Sequence, residues 1–277
     1  MERFRKCDLH CHSVFSKDAA RDMTFENLCA AAAERGIGML AVTDHYDIGR
    51  RYNFDPAERE PDFLEARERF KTDLTLLRGL ELGQMMDGPD EAAAVRSAVP
   101  YDAVIGSIHA PLPYGDFYAL DYGSLSDEDL KGRWDIYLTK LTELAEKGDF
   151  DILAHIRYPE RYFIRAGKGR LLPIEAEGED MFEPVFRALI RRDKSLEINT
   201  AVVRKYGLAP DPGLRLLKFY RSLGGKHVSV GSDAHRPGDV GADIDAAIDL
   251  AEAAGFGELT VFSGRKIRHI HIGGGNI

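Results

Sequence analysis

Short apolar runs alternate with longer amphipathic segments along this chain of 277 residues. A short continuous apolar run is typical of a strand that is buried on both faces of a parallel sheet. Seven such runs predict strands over residues 4–9, 39–43, 74–80, 103–108, 151–154, 195–198 and 228–231. A further run, 259–262, predicts a tail strand that packs on the outside of the structure or closes it.

The segments between these strands are mostly amphipathic and predict helices. The clearest is 126–147, where Leu130, Trp134, Leu138 and Leu141 recur at helical spacing. The predicted helices cover residues 24–35, 61–71, 90–98, 126–147, 177–192 and 210–223, and a last one is marked by Val240, Ile244, Ile248 and Ala251. The polar stretches 46–60, 111–123 and 157–173 predict loops.

This alternation of strands and helices predicts an α/β fold with a parallel sheet, because parallel neighbours need a crossover connection, usually a helix. About seven such units in one chain favour a closed barrel over an open sheet. In a barrel of this kind the active site is built from residues at the carboxyl ends of the strands.

Histidine or acidic residues stand at six of these strand ends. His10 and His12 are two residues apart, and residues at that spacing on a strand point to the same face. One polar residue at a strand end is usually structural, a buried and hydrogen-bonded side chain. Packing alone would favour Val, Ile or Leu at all six positions, so the recurrence indicates a functional site.

The residue types indicate a metal centre. The candidate ligands are His10, His12, Asp18, His45, Glu81, His109, His155, Asp233 and His235. Six histidines and three carboxylates exceed the needs of one tetrahedral zinc ion, so two or three divalent ions are expected. Glu81 is the natural bridge between ions, since one carboxylate has two oxygens. The mixed nitrogen and oxygen donors suit zinc, manganese or iron.

Bulk composition narrows the class of partner. The net charge is 37 − 46 = −9, which disfavours general nucleic-acid binding. The three cysteines, Cys7, Cys11 and Cys29, have no zinc-finger spacing and form an odd set, which favours a reducing, cytoplasmic location. The first residues lack the apolar segment of a signal peptide, and no apolar run is long enough to cross a membrane. These observations predict no membrane partner and leave the oligomeric state open.

Clustered metal ions suit the hydrolysis of phosphate esters and amides. The loop after His155 favours phosphate, because it carries five basic residues and one acid, Glu160. The basic residues are Arg157, Arg161, Arg165, Lys168 and Arg170. The alternative is a solvated charged loop. Arg157 is the first candidate to grip a substrate phosphate, and Arg204, after the sixth strand, is the second.

The motifs together resemble those of the PHP (polymerase and histidinol phosphatase) family. They are HxH at His10 and His12, TDH at residues 43–45, a strand-end Glu81, GSIH ending at His109, LAH ending at His155, and GSDAH at residues 231–235. The resemblance runs through essentially the whole chain. With no polymerase region, the chain is similar to the free-standing histidinol-phosphatase branch.

The resemblance implies a distorted (β/α)7 TIM-like barrel of the PHP type, forming a single domain over residues 1–277, with three metal ions. It places His10, His12, Glu81 and Asp233 on the first ion. It places Glu81, His109 and His155 on the second, and Asp18, His45 and His235 on the third. Asp22 is a rival for Asp18. Asp8 and Asp44 are expected to orient the histidines.

The resemblance also implies the reaction. The expected substrate is a small phosphorylated molecule, L-histidinol phosphate, with a metal-bound hydroxide attacking phosphorus. The residues themselves predict no covalent enzyme intermediate, because no Ser or Cys is paired with a free base. Another phosphoesterase on the same scaffold is the alternative: a phosphodiesterase, a nucleotide phosphatase or a protein-tyrosine phosphatase. A non-catalytic, metal-stabilised binding module is the alternative from a different class, and it predicts an incomplete ligand set.

Overall fold

Eight parallel strands form the main sheet of the computed structural model, which describes residues 6–50 and 53–272. The strands are β1 Lys6–Cys11, β2 Ile37–Val42, β3 His45–Asp47, β4 Thr75–Gly83, β5 Ala103–Ser107, β6 Ile152–Leu153, β7 Ser195–Asn199 and β8 Val228–Gly231. Seven of them pair in the order β1-β2-β4-β5-β6-β7-β8, and β3 adds a second short strand alongside β4. The sheet curls into a nearly closed barrel, as the α/β barrel prediction requires.

Helices cover the outside of the barrel. They are α1 Phe25–Glu34, α2 Pro56–Arg69, α3 Pro89–Ala98, α4 Asp127–Lys147, α5 Glu160–Arg165, α6 Ile174–Arg191, α7 Ala201–Tyr206, α8 Leu214–Ser222 and α9 Ile244–Ala253. Their apolar faces pack on the strands through side chains such as Phe63, Trp134 and Phe182, which are fully or almost fully buried. Among the helices of the described residues, none combines the length and apolar character needed to span a bilayer.

The seven predicted barrel strands are confirmed, with ends that shift by up to three residues. Several expectations for the segments between them are wrong, and Val240, expected in the last helix, lies before α9. The polar stretch 46–60 contains most of β3, and α2 begins at Pro56, because the Asp55 side chain caps it and proline suits the first turn. The stretch 157–173 contains α5, and α7 follows β7 directly.

The predicted tail strand is confirmed, and the tail contains a second strand that was not expected. The predicted strand 259–262 is part of β9 Glu258–Ser263, which pairs antiparallel with β10 Lys266–His271. Arg265 at the turn of this hairpin forms ion pairs with Asp149 and Asp151, and so fixes it to the barrel. Residues 1–5, which include the start of the first predicted strand, and the glycines 273–275 lie outside the described residues.

The seam between β8 and β1 closes at the end of the barrel that carries the polar residues. The His12 amide donates to the Ala234 carbonyl at 2.9 Å, and the Asp233 amide donates to the His10 carbonyl at 2.7 Å. The buried Asp8 carboxylate accepts from the amides of Ser232 and Gly241, both at 2.8 Å. Asp8 therefore joins β1 to the two segments that follow β8.

We expect the substitution Asp8→Ala to lower the free energy of unfolding by about 2–5 kcal/mol, because it leaves two buried amides without an acceptor. Urea unfolding followed by circular dichroism measures the change. Asp245→Ala is the matched control on the same side of the barrel, since Asp245 forms an exposed ion pair with Lys6 and should cost less than about 1 kcal/mol. Equal losses in the two variants would contradict a closing role for Asp8.

Candidate metal centre

The carboxyl ends of the barrel strands bring all nine predicted ligands into one cluster. Six of them are buried, His45 and His235 are partly exposed, and Asp18 is exposed at the rim. Four overlapping groups of these side chains present a ligand atom within 4.8 Å of the others. The structure therefore assembles the complete donor set from residues that are far apart in sequence.

Glu81, near the carboxyl end of β4, is the hub of the cluster. Its Oε1 lies 3.1 Å from Nε2 of His109 and 3.1 Å from Nε2 of His155. Its Oε2 lies 3.2 Å from Nε2 of His10 and 3.6 Å from Nε2 of His12. Oε2 is also 2.6 Å from Nδ1 of His45. The two oxygens thus face different sets of imidazoles, as expected for a carboxylate that bridges two ions.

Asp233 completes the first set beside Glu81. Its Oδ1 lies 3.4 Å from His12 Nε2 and 4.0 Å from His10 Nε2. Asp233 has a positive φ of 52° that aspartate tolerates better than most residues. This backbone conformation, held at a strand end, turns the carboxylate toward the cluster.

Asp18, His45 and His235 form the set nearest the rim. Asp18 Oδ2 lies 3.2 Å from His235 Nε2 and 3.6 Å from His45 Nε2, and the two imidazole nitrogens are 3.4 Å apart. The rival Asp22 instead accepts a hydrogen bond on its backbone carbonyl from Asn27. The structure therefore brings Asp18 into the cluster.

The donor atoms fit divalent cations. Atoms about 2.1 Å from one tetrahedral ion lie roughly 3.4 Å from one another, close to the spacings within each set. His10 Nε2, His12 Nε2, His45 Nδ1 and Glu81 Oε2 are buried and have no hydrogen-bond partner among the described residues. His45 Nδ1 is close to Glu81 Oε2, but the angles do not fit a hydrogen bond. Converging lone pairs of this kind are stabilised by cations.

The charges in the cluster support the same conclusion. Burial lowers the pKa of His12, and His45 and His235 lower it further, so His12 is held as the neutral imidazole that ligates metals. Burial alone would raise the pKa of Glu81, but His45, His10 and His109 lower it well below its ordinary value. Glu81 is therefore ionised, and the site attracts positive charge.

Side chains behind the histidines orient the rings. Glu197 Oε1 lies 2.6 Å from His10 Nδ1, and its Oε2 accepts from the His155 amide at 2.9 Å. Asp47 Oδ1 lies 3.0 Å from His109 Nδ1. A partner at Nδ1 directs the lone pair of Nε2 toward the cluster. Sequence reasoning missed Glu197, although an acid between the apolar residues Leu196 and Ile198 of β7 was a signal for it.

Among the described residues, neither Asp8 nor Asp44 contacts an imidazole ring, so their contacts to the histidines are indirect. Asp8 accepts from the His10 amide at 3.4 Å, and Asp44 accepts from the Ser16 hydroxyl, which lies 3.2 Å from His12 Nδ1. Asp8 binds backbone amides and the Cys11 thiol. Asp44 accepts from the backbone and hydroxyl of Ser13 and from the hydroxyl of Ser16. Both carboxylates fix the backbone and the serines that surround the ligands.

Gly231 at the end of β8 permits this packing. A Cβ there would collide with the Cβ of His10 and would lie 2.6 Å from Glu197 Oε1. Glycine is required at this position because the His10–Glu197 pair presses directly against the strand backbone.

The structure places Arg157 away from the cluster. Its guanidinium pairs with Glu160 and donates to the Pro212 carbonyl at 2.9 Å. It lines a side cavity of about 300 Å³. Arg204 donates to the carbonyls of Ser232 and Asp233 and so supports the segment that carries Asp233. Neither arginine lines the cavity above the cluster.

That cavity has a volume of about 680 Å³, with His45, His109, His155, Asp233 and His235 in its wall. Its cationic residues are Lys17, Arg50, Arg161, Lys205 and Arg236. Arg161 is the most buried of these, with 3% of its surface exposed. Its Nε and Nη2 have no hydrogen-bond partner within residues 6–50 and 53–272. Arg161 was one of five basic residues in the predicted loop. Helix α5 begins at Glu160, and it directs the Arg161 side chain into the cavity.

Comparisons with known proteins agree with this geometry. A family model described as PHP domain matches residues 8–201. The histidinol-phosphatase of Lactococcus lactis is 27% identical, over 95% of this chain and 96% of that protein. A protein of Thermotoga maritima named probable histidinol-phosphatase is 29% identical, over 94% of this chain and 97% of its own.

A similar fold is known from a crystal structure. It is that of the Lactococcus lactis histidinol phosphate phosphatase complexed with zinc, L-histidinol and phosphate. Its TM-score is 0.78 at 24% identity, and the match covers 96% of this chain and all of that one. This likeness shows the barrel fold.

We expect the substitution Glu197→Gln to weaken zinc binding about 10- to 100-fold, because it removes the charged partner that orients His10. Competition with a chromophoric chelator measures the affinity. Asp193→Asn is the matched control, since Asp193 pairs with Nε2 of His227 at 2.9 Å outside the cluster. Unchanged affinity in the Glu197 variant would remove that residue from the support of the centre.

Proposed function

The chain belongs to the PHP domain family, and on that premise we propose that it is a metal-dependent phosphomonoesterase whose substrate is L-histidinol phosphate. The observation that carries the proposal is the group of buried ligand atoms without partners at the floor of the 680 Å³ cavity. The relatives' names support the reaction, and the bound molecules of the solved relative correspond to its two products.

The three sets of residues around Glu81, Asp233 and Asp18 would hold two to three divalent ions, zinc, manganese or iron. When bound, such ions lower the pKa of water and neutralise the charge that develops on a transferred phosphoryl group. Glu81 holds the sets together, and Glu197 and Asp47 keep the imidazole lone pairs directed inward.

Arg161, in place of Arg157, would bind the phosphate. Its guanidinium lies over the ring of Tyr158, 5.0 Å from the centroid, which restricts its orientation. Two of its nitrogens have no protein partner in the described chain, and the residue lines the cavity. A planar guanidinium can bind two oxygens of one phosphate. Arg204 would act one step further away, by holding the backbone of Asp233.

Other residues of the same cavity suit the rest of this substrate. Asp116 lines the cavity and carries the negative charge that would meet the ammonium group of histidinol. Arg50 and the Tyr158 hydroxyl hold Asp116 in place, at 2.5 and 3.2 Å. Tyr118, at the edge of the same cavity, offers an exposed ring against which an imidazole can stack.

We also propose that residues 1–277 form one PHP domain and that the protein works in a reducing, cytoplasmic compartment. Cys7, Cys11 and Cys29 are all buried free thiols, which supports that location.

The proposed substrate predicts a strong preference in a panel of phosphate esters. We expect kcat/KM for L-histidinol phosphate to exceed that for simple aryl phosphates by about 100-fold or more, since the latter have no ammonium group to bind Asp116. Phosphate release measures the rates, a chelator should abolish them, and added zinc, manganese or iron should restore them. Preference for a diester, a nucleotide or a phosphotyrosine peptide would discard the substrate and keep the metal centre.

The proposed phosphate contact predicts that Arg161→Met lowers kcat/KM by about 100-fold, because one charged donor to the transferred group is lost. Arg165→Met is the matched control, an exposed arginine on the same helix, with an expected change within about twofold. Arg157→Met tests the alternative. If a folded Arg157 variant lost more activity than the Arg161 variant, the phosphate contact would belong to Arg157.

A further inference from the structure

We propose that Arg59, acting through Asp44 and Ser16, holds His12 in the tautomer whose Nε2 lone pair faces the metal centre. Arg59 is therefore inferred to be a positioning residue for metal binding, although it lies on the outer helix α2. The inference rests on the proposed metal centre and concerns how that centre is assembled.

Arg59 is a buried charged side chain between α2 and the barrel. Only 1% of its surface is exposed. Its Nη1 lies 3.2 Å from Asp44 Oδ2, and its Nη2 donates to the Gly79 carbonyl at 2.9 Å. The guanidinium also lies over the rings of Phe54 and Tyr101. These contacts fix the position of the charge next to Asp44.

Asp44 is fully buried and accepts every hydrogen bond that it makes in the described chain. Its Oδ1 accepts from the Ser13 amide at 2.6 Å and from the Ser16 hydroxyl at 2.8 Å. Its Oδ2 accepts from the Ser13 hydroxyl at 2.7 Å. Arg59 is its partner in the ion pairs of the described residues. A buried carboxylate needs such a cation, and without it the cost of burial is large.

The Ser16 hydroxyl links the Asp44 carboxylate to His12. A hydroxyl has one proton to donate, and that proton points to the carboxylate of Asp44. Its oxygen therefore accepts the other two hydrogen bonds, from the His45 amide at 3.1 Å and from His12 Nδ1 at 3.2 Å. His12 must then carry its proton on Nδ1. The lone pair on Nε2 is left to face Asp233 and Glu81.

Without the fixed carboxylate, the Ser16 hydroxyl could rotate and donate to His12 Nδ1. The imidazole would then carry its proton on Nε2, where the metal binds. Arg59 of α2 thus determines which ring nitrogen of His12 carries the proton. His12 lies directly after β1.

The simpler role for Arg59 is to fasten α2 to β4. Arg78 provides the matched control, because it also joins these two elements. It is buried, pairs with Glu60 of α2, donates to the Pro100 carbonyl at 2.8 Å, and lies over the ring of Phe63. None of these contacts involves a residue of the metal cluster.

The experiment compares Arg59→Met, Ser16→Ala and Arg78→Met in the full chain. Zinc affinity is measured by chelator competition, cobalt absorption spectra report the ligand geometry, and thermal unfolding reports stability. We expect Arg59→Met and Ser16→Ala to weaken zinc binding about 10- to 100-fold and to change the cobalt spectrum. Arg78→Met should lower stability and leave affinity and spectrum unchanged. Nitrogen NMR of the metal-free protein should show Nδ1 protonation of His12 in the wild type and a mixture in Ser16→Ala.

The outcomes separate the possibilities. If Arg59→Met loses stability but keeps wild-type zinc affinity, Arg59 only fastens the helix and the proposal is wrong. If Arg59→Met does not fold, Ser16→Ala decides, because that change removes only a hydroxyl. Wild-type affinity and tautomer in Ser16→Ala would overturn the proposal. A wild-type protein that binds neither zinc nor cobalt would instead refute the metal centre on which the proposal rests.

Discussion

The structure of the candidate metal centre depends on one electrostatic constraint at the carboxyl ends of the barrel strands. Both oxygens of Glu81 are removed from water, and five imidazole nitrogens lie within 2.6–3.6 Å of them. The histidines and the carboxylate bring many donor atoms into a small buried volume, and the donor set fits divalent cations. Divalent ions satisfy all of these groups at once. The fold therefore brings together groups whose chemistry fits divalent metal ions.

Acidic side chains behind the histidines fix the geometry of this cluster. Glu197 of β7 supports His10 and the backbone of His155, and Asp47 of β3 supports His109. Asp44 accepts a hydrogen bond from Ser16, which lies beside His12. Asp8 joins β1 to the segment after β8. Each acid comes from a different strand or strand end, so the barrel must close before the ligands are oriented. Closure and metal binding consequently stabilise each other.

The strands and the nine candidate ligands were predictable because they depend on local pattern. An apolar run followed by histidine or an acid identifies a strand end, and a barrel places all such ends together. The acidic residues that hydrogen-bond to these ligands were not predictable in the same way. Glu197 and Asp47 meet their histidines across strands, and a single sequence does not contain the register between strands. Asp8 precedes the HxH motif and Asp44 lies within TDH, yet their contacts are to amides, a thiol, hydroxyls and the Arg59 guanidinium.

The local sequence pattern of the basic segment after β6 also did not show which of its residues faces the cavity. Its residues 157–173 contain five cations, but the turn of helix that begins at Glu160 decides which one faces the metal cavity. Glu160 pairs with Arg157 three residues earlier, and Arg161 is directed inward. Asp116 and Tyr118 lie in the other long connection, 111–123. The strand ends thus determine the metal chemistry, and the connections, whose conformation depends on tertiary contacts, determine which phosphate ester reaches it.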